Sequence, residues 1–293
     1  MAARSNLPIV LGVDTVTVEG RTLRWAAEQA HLEGHRLQLV TAAGPAFPVQ
    51  RDHGMGSLLV SSTRLNLRRG AVLDWAREEL RLTSPYVEVD EMFQVADPST
   101  LLIQLASSAH LVVLGSRGRG SVRSHVLGSV ALAVVRHAAC PVVVHRPVYP
   151  GQAHRGVVVA AEATEDSTPV LAFAFRQASL RRLPLRVAHF VYDARSALVG
   201  IRAAGDLAGT SEQHERLLAE SLAGLREDFP DVDVSVQTQR GLPAQGLASL
   251  SKQADLTVVG RHPRGIVARL LAGSVSGSVL QHGHGPIAVV PVT

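Results

Sequence analysis

The residues best suited to chemistry follow an apolar strand pattern, Leu111–Leu114, and lead into a helical one. Gly115, Gly118, Gly128 and Ser129 form the pattern G-x2-G-x9-G-S. Glycines let a loop turn sharply and bring bare backbone close to a ligand, and the first N–H groups of a helix favour an anion. The spacing therefore fits a phosphate-binding loop. It fits equally well a set of tight turns in an α/β domain.

The elements that must position these glycines alternate along the first half of the chain. Apolar strand patterns and amphipathic helix patterns follow one another, with strands predicted at 8–14, 37–42, 87–95, 111–114 and 142–144 and helices at 22–32, 62–82, 101–109 and from 129. This alternation predicts a parallel sheet with helices on both faces. Ligands of such sheets bind at the carboxyl ends of the strands, where the strand order reverses. We therefore expect Asp14 and Gly115 at one rim.

The second half repeats the first. Gly260 stands 145 residues after Gly115, and Gly273-Ser274 stands 145 residues after Gly128-Ser129; nearer the start the offset is 148, so that Glu162 answers Asp14. A constant offset between matching residues over so many positions indicates an internal duplication. The predicted fold class is α/β, with two tandem copies of a five-stranded, mostly parallel sheet. The predicted domains are residues 1–146 and 147–293.

Composition narrows the function classes. The formal net charge is +4 and 46% of the residues are hydrophobic, but no run approaches the roughly 18 apolar residues of a membrane span. Cys140 is the only cysteine, and the start of the chain lacks a signal-peptide pattern, so we expect a cytoplasmic protein without disulfides. The arginines are scattered, which argues against nucleic-acid binding. The only lysine, Lys252, lies in SLSKQAD, which excludes a Gly-Lys-Ser/Thr phosphate loop.

Four segments together carry a resemblance to a known family. They are VLGVD at 10–14, GSRGRG at 115–120, LGSV at 127–130 and CPVVV at 140–144. With them the chain resembles the universal stress protein family in its tandem two-domain form, and the subgroup that binds ATP through G-x2-G-x9-G-S/T. The resemblance covers almost the whole chain and implies a Rossmann-like fold of the adenine-nucleotide α-hydrolase type.

The resemblance also implies a ligand, ATP, alone or with magnesium. Asp14 is expected on its ribose or adenine side, and the backbone of Ala42 at the base. The phosphates are expected at the N–H groups of Gly118, Arg119, Gly120, Gly128, Ser129 and Val130 and at the Ser129 hydroxyl, in the loop that Gly115 opens. Arg117 and Arg119 could add positive charge, although for at least one of them a solvated position in the loop is favoured. A concave group of N–H donors in this region suits an anion on physical grounds as well. Without the resemblance, Asp14 is better interpreted as a helix cap or a strand-end carboxylate facing water.

The second half departs from the family pattern at two positions. Glu162 replaces Asp14, and Pro263, which has no N–H and a fixed φ, replaces Gly118. The corresponding candidate residues are Glu162, Gly260, Arg264, Gly265, Gly273, Ser274 and Val275. We expect nucleotide binding to be weaker in this half, or absent.

Other chemistry has little support. His137 with Cys140, or His282 with His284, could suggest a metal site, but no matching ligand spacing accompanies them, so no metal is expected. No G-x-S-x-G nucleophile pattern occurs, and no catalytic residue is predicted.

Three function classes stay open. The first is a non-enzymatic ATP-binding regulator of the stress response, favoured because no evident base stands ready to activate water. The second is a slow ATPase or nucleotide-transferring enzyme that uses the same pocket. The third is an interaction module without a ligand. The family implies that the two halves pair within the chain; a further homodimer and a regulatory protein partner stay open, and no nucleic-acid or membrane partner is expected.

Overall fold

A computed structural model describes residues 7–14, 20–43, 56–116, 127–146, 155–161, 167–191, 207–261 and 275–292. The chain divides into two compact units, Met1–Arg146 and Pro147–Thr293. Among the helices in these ranges, none combines the length and the apolar character needed to cross a membrane.

The first unit alternates strands with helices. The strands are β1 (Ile9–Gly12), β2 (Leu37–Ala43), β3 (Val89–Val95), β4 (Leu111–Gly115) and β5 (Val142–His145), and the helices are α1 (Gly20–Glu33), α2 (Gly56–Thr83), α3 (Pro98–Leu105) and α4 (Ser129–His137). The strand order is β3-β2-β1-β4-β5, and each neighbouring pair is parallel. This confirms the predicted fold class.

The strand order explains why helices cover both faces. The chain moves from β1 outward to β3, then crosses back to β4 and continues to β5, so right-handed crossovers put the first two helices on one face and the last two on the other. In agreement, α1 packs against α2 and α3 packs against α4. The inner strands β1 and β4 are almost completely buried, as expected for strands that are covered on both faces.

The second unit repeats this order. Its strands are β6 (Val157–Ala161), β7 (Leu185–Val191), β8 (Val234–Arg240), β9 (Leu256–Arg261) and β10 (Ile287–Pro291), and its helices are α5 (Thr168–Arg181), α6 (Leu207–Asp228), α7 (Pro243–Leu250) and α8 (Val275–His282). The order is β8-β7-β6-β9-β10, and each neighbouring pair is parallel. Both units therefore have the same reversal of strand order at their first strand.

Helix boundaries differ from the sequence prediction at two places. Helix α3 starts at Pro98 rather than Leu101, because Asp97 caps it: the Thr100 N–H donates to Asp97 Oδ1 over 2.9 Å, and proline suits the first turn. Backbone and side-chain bonds from Thr100 lower the pKa of the Asp97 carboxyl. Helix α2 begins at Gly56, six residues before the predicted start at 62.

Candidate functional site

The carboxyl ends of β1, β2 and β4 form the rim on which the predicted site depends. Gly12, the last residue of β1, pairs with Val40 on one side and Leu114 on the other. The Val13 N–H then donates to the Val40 carbonyl over 2.8 Å, which keeps the chain beside β2 as it leaves the sheet. Asp14 follows directly and is exposed. The rim lies at the reversal of strand order, where open α/β sheets bind ligands.

The neighbouring strand ends bring two more predicted residues to this rim. Ala42 lies two residues beyond Val40 on β2, and Gly115 ends β4 one residue beyond Leu114. Asp14, Ala42 and Gly115 thus occupy the ends of three adjacent strands. The Gly12 position between them is tight, because a Cβ there would lie 2.7 Å from Leu114 Cδ2.

The start of α4 returns to the end of β4. The Gly128 N–H donates to the Ser116 carbonyl over 3.3 Å, and the Ser116 N–H donates to the His145 carbonyl over 3.0 Å. Gly128 is the N-cap of α4 and provides no side-chain bond to the helix, whose first residues are Ser129 and Val130. An N-terminus that lacks a capping side chain offers its N–H groups and its positive dipole end to an anion.

The remaining predicted residues divide into two groups. In the second unit, Gly260 pairs with Val290 in β9 and Val275 is the first residue of α8. The others lie outside the described residues: Arg117, Gly118, Arg119, Gly120, Glu162, Arg264, Gly265, Gly273 and Ser274.

The second unit has a different side chain at the rim position that corresponds to Ala42. Phe190 of β7 stands 148 residues after Ala42, and it packs over Gly246 of α7, which stands 145 residues after Leu101. A Cβ at Gly246 would lie 2.1 Å from Phe190 Cε1, so the glycine is required for this contact. The positions of Phe190 and Gly246 in the second unit thus correspond to those of Ala42 and Leu101 in the first.

Sequence reasoning missed a buried histidine at the end of β5. His145 is 6% exposed, its Nδ1 lies 2.9 Å from Thr22 Oγ1, and its ring centroid lies 6.1 Å from that of Trp25. Burial, assisted by the positive charge of Arg21, lowers the pKa of His145 to about 4. The ring is therefore neutral at physiological pH. The available signal was a histidine that ends an apolar strand, VVVH.

The four residues that suggested a metal site in the sequence have ordinary surroundings. His137 is exposed at the end of α4, and Cys140 is buried. His282 Nδ1 lies 3.0 Å from the Ser278 carbonyl one turn earlier, and the His284 N–H donates to Ser251 Oγ over 2.9 Å. In the described ranges, one group has the donor types and proximity to hold a metal ion: Glu33, His35 and His110.

Comparison with known proteins adds family relationships. The model of the universal stress protein family matches residues 6–146 and again 154–291. The chain is 32% identical to universal stress protein Rv2623 of Mycobacterium tuberculosis, over 98% of this chain and 97% of that protein. It is 31% identical to a universal stress protein of Mycolicibacterium smegmatis, over 96% of each chain. A universal stress protein structure from Archaeoglobus fulgidus shares the fold at a TM-score of 0.68 and 17% identity, covering 99% of this chain and 98% of that one.

Proposed function

The chain belongs to the universal stress protein family, and on that basis we propose that it is an ATP-binding regulator whose nucleotide site lies in the first unit. The phosphates bind at the segment from Gly115 to Val130, and the nucleoside lies over Asp14 and Ala42. Occupancy of the site by ATP alters how the protein engages a regulatory partner.

The observation that carries this proposal is the return of α4 to the end of β4. The bond from the Gly128 N–H to the Ser116 carbonyl holds the uncapped start of the helix at the rim. Both glycine positions of the motif that bracket the loop, Gly115 and Gly128, therefore meet one corner of the sheet. Asp14 and Ala42 lie at the ends of the next two strands, β1 and β2, and this rim is where open α/β sheets bind ligands.

The second unit is proposed to bind nucleotide weakly or not at all. Pro263 and Glu162 differ from the motif of the first half, as the sequence shows. The position of Ala42 is also occupied by a larger side chain, Phe190, whose ring lies against Gly246 of α7. We therefore expect one ATP per chain.

The proposed role is regulatory rather than catalytic. Among the described rim residues, Asp14 is the only carboxylate, and it belongs to the nucleoside end of the proposed site rather than to the phosphates. General-base activation of water requires a group within hydrogen-bond reach of the reacting centre. A slow ATPase is the alternative, and the experiment below separates the two.

The test compares matched glycine-to-valine variants in the two units. Gly128 has φ −62° and ψ 147°, an ordinary extended conformation that valine adopts readily, so Gly128→Val changes bulk at the helix start without straining the backbone. Gly273→Val is the counterpart in the second unit. Charge-assisted hydrogen bonds are worth about 1.5–3 kcal/mol each, so we expect Gly128→Val to weaken ATP binding at least tenfold.

Titration calorimetry with ATP on nucleotide-free protein measures affinity and stoichiometry. The proposal requires about one ATP per chain, a large loss in Gly128→Val and little change in Gly273→Val. Equal losses in both variants, or no detectable binding at millimolar ATP, would contradict it. Sustained ATP turnover that disappears in Gly128→Val would replace the regulatory role by the enzymatic one.

A further inference from the structure

Three side chains with metal-binding atoms meet at the amino-terminal edge of the first unit's sheet. Glu33 ends α1, His35 follows it, and His110 directly precedes β4. One donor atom from each lies within 4.8 Å of the other two. We propose that these three residues form a binding site for a divalent transition-metal ion, for which Zn²⁺ is the probe. The site lies at the opposite ends of the strands from the nucleotide rim.

The backbone fixes where two of these side chains start. Gly34 has φ 70°, and its N–H donates to the His31 carbonyl over 3.1 Å while the His35 N–H donates to the Ala30 carbonyl over 2.9 Å. This is the Schellman arrangement, in which a left-handed residue ends a helix and turns the chain sharply. It brings Glu33 and His35 to the same side of the turn without depending on their side chains.

The third residue is held by the sheet. The His110 N–H donates to the Pro8 carbonyl over 2.9 Å, which ties the residue before β4 to the residue before β1. The imidazole rings of His35 and His110 stack, with centroids 4.1 Å apart and planes inclined by 24°, so one ring must rotate about its side-chain torsions before both rings can direct a nitrogen at one ion. Secondary structure, rather than a flexible loop, thus positions all three donors.

The carboxylate has the surroundings of a metal ligand. The Glu33 side chain is 4% exposed and that of His110 is 20% exposed, with His110 Nε2 2.5 Å from Glu33 Oε2. The other carboxylate oxygen accepts a hydrogen bond from Gln29 Nε2. Ligating carboxylates are commonly held by such an outer hydrogen bond. A metal ion would take the place of the proton between His110 and Glu33; these two side chains would move apart, and the His35 ring would turn to direct a nitrogen at the ion.

The donor set selects the class of ion. Two imidazole nitrogens and one carboxylate oxygen suit Zn²⁺, Co²⁺ or Ni²⁺, whereas Mg²⁺ and Ca²⁺ prefer oxygen ligands. Three protein ligands leave one position for water or another ligand, as in sites that are not purely structural. The partial exposure of His110 gives an ion access from solvent.

The second unit provides a natural comparison because it keeps the backbone and loses the donors. Arg182 has φ 54°, and the Leu183 N–H donates to the Ala178 carbonyl over 2.9 Å, so the same helix ending is present. Arg181, Leu183 and Asp255 occupy the positions of Glu33, His35 and His110. Asp255 Oδ2 accepts a bond of 2.9 Å from the Gly156 N–H. We therefore expect one metal ion per chain, in the first unit.

Calorimetric titration of the tag-free, metal-free full chain with ZnCl₂ tests the proposal, and Co²⁺ absorption reports the coordination geometry. His35→Leu is the decisive variant, since the second unit shows that leucine is compatible with this helix ending. His137→Ala removes an exposed histidine and is the control. We expect one Zn²⁺ per wild-type chain, at least tenfold weaker binding in His35→Leu, and no change in His137→Ala.

Glu33→Gln provides a second variant that keeps size and shape, and it should weaken Zn²⁺ binding to a similar degree. Far-ultraviolet circular dichroism verifies that both variants are folded. A titration of the wild-type chain with MgCl₂ in place of ZnCl₂ should give no binding heat. The proposal is overturned if zinc binds the wild type and both variants equally, or if the wild type binds none. It is also overturned if Co²⁺ in the wild-type protein gives the spectrum of the hexahydrated ion.

Discussion

The two units have one backbone plan and different side chains at its two ends. The strand order of the first unit is repeated in the second, with parallel pairing throughout the described strands. At the carboxyl rim, Phe190 of the second unit occupies the position of Ala42. At the opposite edge, Asp255 occupies the position of His110. The comparison teaches that apolar strands and helix endings maintain the fold, whereas single side chains at the two ends of the strands differ between the units.

The same contrast extends into the interior of the first unit. His145 ends β5, and its counterpart in β10 is Val290, which is 4% exposed. The neighbours of His145 are Thr22 and Trp25. The corresponding residues of the second unit are Val170 and Phe173, which are both buried. One unit encloses a polar group where the other encloses only hydrocarbon, so the two should respond differently to acid.

The largest expected effect is the removal of this acid response by His145→Val. Because the pKa of His145 is about 4 in the folded protein and its ordinary value is 6.5, the unfolded chain binds the proton more tightly. Above pH 6.5 His145 is neutral in both states and does not lower the free energy of unfolding. As the pH falls from 6.5 toward 4, the unfolded chain takes up the proton first, and the free energy of unfolding decreases. The loss amounts to about 3 kcal/mol between pH 7 and pH 4.

Urea unfolding at several pH values measures this effect. Both tryptophans, Trp25 and Trp75, belong to the first unit, so their fluorescence follows that unit alone. Between about pH 7 and pH 4, the unfolding free energy of His145→Val should fall by about 3 kcal/mol less than that of the wild type. The remaining pH dependence is due to carboxylates. Identical pH dependence in the variant and the wild type would show that His145 does not titrate as its burial implies.

The next largest effect is expected at the contact between Phe190 and Gly246 in the second unit. Gly246→Ala puts a Cβ 2.1 Å from Phe190 Cε1, and overpacking of this kind costs about 2 kcal/mol. In a helix without such a neighbour, the same change would stabilise by up to about 1 kcal/mol. Phe190→Ala should therefore rescue the variant, giving a favourable coupling energy in a double-mutant cycle measured by thermal unfolding. Additive effects would mean that the ring moves aside freely.

The smallest effect concerns the two helix endings. Gly34 takes the left-handed conformation without penalty, but Arg182 takes it at φ 54° and pays a steric cost. Arg182→Gly should stabilise the second unit by about 1 kcal/mol, less the entropy that glycine adds to the unfolded chain. Differential scanning calorimetry measures the change, with the exposed Arg176→Gly, inside α5, as a control that should destabilise. A lower melting temperature for Arg182→Gly would contradict this explanation.

Much of the fold could be predicted from the sequence because its signals are local. The apolar run at Leu111–Leu114 and the glycine after α1 each identify an element without knowledge of the rest of the chain. The duplication then supplied the domain organisation, since one half serves as a check on the other. The rim positions of Asp14 and Gly115 followed from strand order alone. Their role in binding ATP stays a prediction.

What could not be predicted depends on contacts between distant residues. His145 meets Thr22 across 123 positions, and His110 meets Glu33 across 77. In the sequence each of these histidines is an isolated polar residue beside an apolar strand. The compensation between Phe190 and Gly246 was equally hidden, because neither residue is unusual until the packing of α7 on the sheet is known.

The bond between Gly128 and Ser116 brings together two residues that are twelve positions apart in the sequence. It joins the residue after β4 to the residue before α4, so the segment between them starts and ends at neighbouring points. For a closed loop, even a doubling of length costs only about 0.6 kcal/mol of entropy. The fold should therefore tolerate insertions and substitutions between Ser116 and Gly128. The proposed ligand preference could then be altered by replacing this segment as a whole.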